Sequence, residues 1–126
     1  MTPLDDLNAR FVYKGESSRI DNWRILKGDG RIEGDCEDYA LTLIWLMEGR
    51  SLFRFWLAIF LFKYRIWHCA SPRGVGHAII FHDGKWIDNI QRRWVAAEPK
   101  SLGYKLRYPM IPPLVVAKML VAKVFG

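Results

Sequence analysis

Apolar residues recur at helical spacing in the segment that begins at Cys36. The residues separated by four, three and four positions are Cys36, Ala40, Leu43 and Met47. Such spacing places side chains on one face of a helix. Asp35 is a suitable N-cap, and Gly49 stands where a left-handed glycine ends many helices. The pattern therefore predicts a helix from Cys36 to about Glu48, with the Cys36 thiol on its core side in the first turn.

An alternation with a period of two predicts a β-hairpin in the middle of the chain. Residues 75–82 form one predicted strand, Asp83-Gly84 a two-residue turn, and residues 85–89 the returning strand. In this register His77 and Asp88 are diagonal neighbours on one face, about 7–8 Å apart at the backbone. An imidazole and a carboxylate can meet at that separation, whereas a slip of one residue would put them on opposite faces. We expect the Cys36 helix to pack across this face, so that the thiol meets His77.

Weaker patterns predict the remaining elements. Residues 1–14 are irregular or form a short helix, and 16–34 is largely loop. The other predicted elements are a very apolar helix at 51–62, a strand at 64–70, a turn at 71–74, an extended piece at 104–108 and an apolar helix at about 112–125. Because 126 residues with 51% hydrophobic content can form one core, we expect a single domain over 1–126.

The formal net charge of +6 has two interpretations. It is either a solvated basic surface or a means of attracting an anionic partner, such as nucleic acid, a membrane surface or a cell-wall polymer. Lysine and arginine are scattered in runs of no more than two, which argues against nucleic acid as the partner.

No segment is predicted to span a membrane. The longest apolar run, 55–62, is far shorter than the about 20 residues that cross a bilayer. The tail at 110–125 carries only two charges, both lysines, and predicts either a helix packed on the core or on a partner protein, or a helix at a membrane surface. The polar N-terminus does not resemble a signal peptide. Cys36 and Cys69 form no CxxC pair, and we expect both thiols to be reduced, which favours a cytoplasmic location.

Cys36 is the candidate nucleophile. Unpaired amides in the first turn of a helix favour a thiolate, and the same amides can hold an oxyanion. The carboxylates of Asp35, Glu37 and Asp38 oppose the thiolate by like-charge repulsion, so we expect Ca²⁺ or a basic side chain to neutralise them. The candidates for that basic side chain are Arg24 and Lys27. A structural interpretation stays open, in which Cys36 is a small buried hydrophobe and the carboxylates complement the helix dipole.

Three short motifs carry the chemistry. They are Gly34-Asp35-Cys36-Glu37-Asp38-Tyr39-Ala40, Gly76-His77-Ala78 and Ile87-Asp88-Asn89, preceded by Tyr13 and Asp21-Asn22-Trp23. Together they resemble the bacterial transglutaminase-like cysteine proteinases, which include phage proteins and periplasmic proteases that release biofilm adhesins. The similarity covers roughly residues 11–91. It implies a papain-like α+β fold, with the nucleophile helix packed on a small antiparallel sheet.

The resemblance also implies roles for individual residues. Cys36 would be the nucleophile, His77 the base and Asp88 the residue that orients the base. Trp23 would help to hold the oxyanion. The residues that would bind Ca²⁺ are Asp35, Glu37 and Asp38. No cofactor would be needed for the chemistry itself.

The expected function is that of a cysteine peptidase or amidase that cleaves a peptide or isopeptide bond in a protein or peptide substrate through an acyl-enzyme. Amide transfer, as in transglutaminases, would use the same residues. A non-catalytic alternative is a binding protein or a phage structural protein that keeps the fold. Its apolar C-terminal helix would then face a protein or a membrane surface. If the protein is phage-encoded, its compartment would be the host cytoplasm.

Overall fold

The computed structural model describes residues 2–13, 25–27, 30–34, 36–70, 76–96 and 98–125. The helices in these residues are α1 (Pro3–Arg10), α2 (Cys36–Met47), α3 (Leu52–Phe60), α4 (Pro112–Phe125) and a 3₁₀ helix (Pro99–Leu102). The strands are β1 (Phe11–Tyr13), β2 (Ile32–Gly34), β3 (Arg65–Ala70), β4 (Gly76–His82), β5 (Lys85–Ile87) and β6 (Lys105–Met110). The implied α+β class is confirmed.

The predicted hairpin is confirmed in its register. β4 and β5 pair antiparallel, with Phe81 opposite Trp86 and the turn at Asp83-Gly84. Both turn residues have positive φ, 52° and 75°, as a two-residue hairpin turn of this type requires. β5 ends at Ile87 rather than Asn89, because the chain turns at Asp88. The backbone N–H of Arg92 donates to the Asp88 carbonyl, which closes that turn.

The hairpin is part of a four-stranded antiparallel sheet with the order β5-β4-β3-β6. Strand β3 corresponds to the predicted strand at 64–70, and β6 corresponds to the predicted extended piece at 104–108. The predicted turn at 71–74 lies outside the described residues. A separate parallel pair of β1 and β2 joins Phe11 to Ile32. The sequence did not predict this pair, since three residues are too few to show a period and the partners are far apart in the chain.

Helix α2 is the centre of the core. It ends as predicted, with Gly49 in a left-handed conformation at φ 73°. The predicted burial of α2 on a single face is wrong, because α1, α3, β2 and β4 all contact this helix. The buried residues of α2 are Cys36, Asp38, Tyr39, Ala40, Leu41, Thr42, Leu43, Ile44, Trp45 and Leu46. A helix that is buried on all sides has a nearly continuous apolar sequence, so a single stripe of apolar residues does not describe it.

The two faces of the four-stranded sheet have different partners. Ala78 and Ile80 of β4 belong to the core that includes α2, whereas Ile79 packs with Cys69 on the other face. His77 opposes Cys69 in the ladder and shares the Ile79 face. The prediction that the Cys36 helix covers the His77 face is therefore wrong, although α2 does pack on β4. The face with Ala78 and Ile80 is the more apolar one, and it is the face that the apolar helix buries.

The other helices agree with the sequence in part. The first residues form a regular helix α1, capped by Thr2, whose hydroxyl accepts from the Asp5 amide. Helix α3 is shorter than the predicted 51–62 and is capped by Ser51, which accepts from the Arg54 amide. Helix α4 has the predicted bounds and packs on the core through the buried Val115. None of the helices in the described part of the chain has the length and apolarity needed to cross a bilayer.

Candidate active site

His77 and Asp88 form a buried pair at one edge of the four-stranded sheet. His77 is the second residue of β4, and Asp88 directly follows β5, so the antiparallel pairing brings them together. His77 Nε2 lies 2.7 Å from Asp88 Oδ2. The two residues expose only 6% and 2% of their surface. The predicted proximity of this imidazole and carboxylate is confirmed.

Three donors hold the Asp88 carboxylate. His77 Nε2 and the Tyr104 hydroxyl, at 2.5 Å, reach Oδ2, while the Gln91 amide donates to Oδ1 at 2.7 Å. Burial raises the pKa of Asp88, but the hydrogen bonds from His77, Tyr104 and Gln91 outweigh burial and lower the pKa below its usual value. Asp88 is therefore ionised at neutral pH.

The ionised carboxylate determines the tautomer of His77. A carboxylate can only accept hydrogen bonds, so the ring proton must be on Nε2. In the neutral ring, Nδ1 then carries the lone pair and is the basic atom. Within the described part of the chain, Asp88 is the residue that hydrogen-bonds to this ring. The Tyr104 ring, with its centroid 5.9 Å from that of His77, covers one side of the imidazole.

Cys36 is the first residue of α2 and is 7% exposed. Its thiol donates to Glu37 Oε2 at 3.3 Å. This contact favours the protonated thiol, because a thiolate would lie beside a carboxylate.

An electrostatic effect connects the first turn of α2 with Asp88. Tyr39 lies three residues after Cys36, on the same side of the helix. Burial raises the pKa of Tyr39, and among the charges Arg92 lowers it while Asp88 raises it. The charge of Asp88 therefore acts on Tyr39, in the first turn of α2.

Cys69 is a second thiol near the pair, directly opposite His77 in the ladder. It is fully buried, as expected for a cysteine that packs in a strand. Burial raises the pKa of Cys69 to about 11, and the charge of Asp88 adds to the increase. Cys69 therefore stays protonated at neutral pH, which leaves Cys36 as the candidate nucleophile. Cys36 and Cys69 are both free in this structure.

The acidic residues beside Cys36 have different environments. Glu37 is half-buried, whereas Asp38 is buried. A Cβ built on Gly34 would lie 2.6 Å from Asp38 Oδ2, so only glycine lets the Asp38 side chain pack there. The described residues contain no group of three or more His, Cys, Asp or Glu side chains that could hold a metal ion. Asp35 lies outside the described residues, and calcium binding stays a prediction.

Two further predicted roles concern residues around the helix start. Trp23, the oxyanion candidate, and Arg24 lie outside the described residues. The Lys27 ammonium lies 6.0 Å from the centroid of the Trp45 ring, towards the C-terminal end of α2. Lys27 is therefore not placed to neutralise the carboxylates in the first turn, because Trp45 is more than two helical turns away from Cys36.

Tyr104 is the site residue that the sequence did not reveal. The sequence places Tyr104 only in the predicted extended piece at 104–108, and no motif connects it with Asp88, 16 residues earlier. The signal was a tyrosine followed by alternating residues, which is typical of any strand. Burial, and then the contact with Asp88, raises the pKa of Tyr104. The Tyr104 hydroxyl therefore stays protonated and donates to Asp88.

We predict that Tyr104→Phe destabilises the folded protein, because it removes the hydrogen bond from the Tyr104 hydroxyl to the Asp88 carboxylate. A hydrogen bond to a charged group contributes about 1.5–3 kcal/mol, so the variant should lose about that much unfolding free energy at pH 7. The folded-state pKa of Asp88 is lowered, so this stability is present above the unfolded pKa and is lost as pH falls through the folded pKa. Urea unfolding at several pH values should show the two proteins converging in acid. A difference that does not change with pH would contradict the role of Tyr104 as a donor to ionised Asp88.

Comparisons with protein-family models, with curated proteins and with solved structures give no match for this chain. The likeness to transglutaminase-like proteinases therefore stays a prediction from the motifs. The buried pair of His77 and Asp88 is the basis for assigning a function.

Proposed function

We propose that this protein is a cysteine peptidase or amidase of papain-like design, acting on a peptide or isopeptide bond. Cys36 is the nucleophile, His77 the general base and Asp88 the residue that orients His77. The buried His77–Asp88 pair carries the proposal, since it leaves Nδ1 of His77 as the basic atom. The free thiols are consistent with a reducing compartment, and we place the protein in the cytoplasm.

The reaction follows from the protonation states of these groups. His77 Nδ1 takes the proton of the Cys36 thiol, and Sγ attacks the carbonyl carbon to form a C–S bond. The amide nitrogen leaves with the proton from Nδ1, which gives a thioester to Cys36. Water then attacks the thioester, passes a proton to Nδ1, and the C–S bond breaks to release the acid and restore the thiol. Asp88 stabilises the imidazolium in both steps.

The start of α2 supports the same chemistry. The first amides of a helix have no partner within the helix, and they stabilise negative charge on a carbonyl oxygen that lies beside Sγ. The resemblance adds Trp23 as a further donor to that oxygen. Glu37 holds the thiol proton in the resting state, so transfer of that proton to His77 is the step that activates Cys36.

We predict that Cys36 is alkylated much faster than Cys69 at pH 6 to 7. If His77 takes the proton of Cys36 as proposed, the thiolate forms well below the ordinary thiol pKa of about 8.5, whereas burial raises the pKa of Cys69 to about 11. The measurement is the rate of iodoacetamide labelling of each cysteine peptide against pH, by mass spectrometry, with Cys69 as the internal control. The rate at Cys36 should fall in His77→Ala, and a chelator should lower it only if calcium binds. A Cys36 rate equal to that of an ordinary thiol would contradict the proposal.

Amide transfer would differ only in the second step, where an amine rather than water attacks the thioester. The products separate the two reactions, because hydrolysis gives a free acid and transfer gives a new amide. Incubation of a peptide library with and without a primary amine, followed by mass analysis, distinguishes them. A Cys36→Ala variant that keeps the full biological effect would instead favour a non-catalytic binding or structural protein.

A further inference from the structure

The outward surface of α3 is apolar. Phe53 is 76% exposed, which is unusual for a phenylalanine in the middle of a folded chain. Its neighbours on this surface are also large and exposed. We call this group the α3 surface, and its members are Leu52, Phe53, Leu57, Phe60, Leu61 and Phe62. A contiguous exposed apolar patch of this kind marks a site of contact with a protein or a membrane.

The helix is apolar on both of its sides. At about 100° per residue, Phe53, Leu57 and Phe60 fall within an arc of about 60°. The residues on the opposite side, Phe55, Ala58 and Ile59, are buried in the core. Arg54 is the charged residue of α3, and it lies at the border of the outward side. Packing of the domain accounts for the apolar residues on the inner side only.

Basic side chains surround the α3 surface. Arg50 and Arg54 lie at the start of the helix, and Lys63 and Arg65 follow its end; all four are exposed. The Arg65 guanidinium lies 5.5 Å from the centroid of the Phe62 ring, at the edge of the patch.

The acidic residues in contact with this rim are fewer. Among the described residues, Glu48 pairs with Lys63, and Asp6 lies 3.7 Å from Arg50. In the described part of the chain, these four basic side chains face two carboxylates, so the rim there is positive. A rim of this sign attracts an anionic surface and repels a second positive one.

We propose that the α3 surface docks on an anionic lipid bilayer. Phenylalanine and leucine on one side of a helix, with arginine and lysine at the border, are the features of a helix that lies in the membrane interface. Nine residues give a helix about 14 Å long, which fits along the interface and does not cross the bilayer. A second copy of this chain fits less well, because a symmetric contact would bring the two positive rims together. The proposal does not depend on Cys36 or on the proposed catalysis.

The test is cosedimentation of the full chain with vesicles of phosphatidylcholine alone and of phosphatidylcholine with about 30% phosphatidylserine. We expect binding to the anionic vesicles, weakened by high salt. Phe53→Ser and Phe60→Ser should each lower the partition coefficient by about tenfold, since each removes an exposed aromatic ring that the lipid would bury. Arg54→Gln should lower binding to the anionic vesicles by about fivefold and leave binding to neutral vesicles unchanged.

Leu120→Ser is the matched control, because Leu120 is an exposed apolar residue of α4 and is 57% exposed. It should bind as the unmodified protein does. Circular dichroism checks that each variant is folded, which is expected for exposed positions. The proposal is overturned if the chain does not bind anionic vesicles, or if Leu120→Ser loses as much binding as Phe53→Ser. It is equally overturned if the chain forms a dimer that Phe53→Ser dissociates and that does not bind lipid.

Discussion

Replacement of His77 by alanine is expected to lower the rate of amide hydrolysis by about a thousandfold, since a positioned general base contributes about 10²–10⁴-fold. His77 is the group that accepts the Cys36 proton in the proposed reaction and returns it to the leaving nitrogen. Its Nε2 is held by Asp88 at 2.7 Å, so the basic Nδ1 has a fixed position. Without the imidazole, the thiol of Cys36 keeps its hydrogen bond to Glu37 and stays protonated.

The same strand offers a matched control. His82 is the last residue of β4, and its Nδ1 donates to the Lys63 carbonyl while its ring stacks on Tyr64 with centroids 4.3 Å apart. His82→Ala should therefore keep the hydrolysis rate within about twofold, because general-base catalysis requires contact with the reacting groups. The measurement is kcat/KM on a cleaved peptide for the unmodified protein and both variants. Equal losses in the two variants would mean that His77 acts through stability rather than as the base.

The second large effect is expected at Phe55, where alanine should lower the free energy of unfolding by about 3–5 kcal/mol. Phe55 is fully buried in the main core, and its ring meets that of Trp56 edge-on with centroids 4.9 Å apart. Truncation leaves a cavity between α3 and the rest of the core, and its lining loses contacts that no other side chain can replace.

Phe53 is the matched control on the same helix. It has the same side chain two residues earlier, and it is 76% exposed. Phe53→Ala should change the free energy of unfolding by no more than about 0.5 kcal/mol. Urea titration followed by circular dichroism gives both values. Similar losses at the two positions would contradict the orientation of α3 and the exposure of the α3 surface.

Elements with a strong local pattern agree closely with the sequence. The hairpin register follows from Asp83-Gly84, because a two-residue turn with positive φ at both positions pairs the flanking strands in one way. That register alone brings His77 to Asp88. Helix α2 begins and ends where Cys36 and Gly49 indicate, since a left-handed glycine is a local stop signal.

The sequence-based predictions are wrong or missing where a contact joins segments that are far apart in the chain. The alternation in β4 shows two faces but not which of them α2 covers, and the helix buries Ala78 and Ile80 rather than the His77 side. The pairing of Phe11 with Ile32 and the contact of Tyr104 with Asp88 are likewise contacts between distant segments. Such contacts have no period in the sequence.

The sequence by itself determined the secondary structure of the hairpin and of α2, and with it the proximity of His77 and Asp88, because turn geometry and side-chain alternation act over a few residues. The tertiary structure decided the rest: which face of the sheet α2 covers, which side of α3 is buried, and that Tyr104 completes the support of Asp88. Phe53 and Phe55 show the reason. Both are phenylalanines in one apolar helix, and hydrophobicity has no direction, so only the packing of the whole chain determines which ring enters the core.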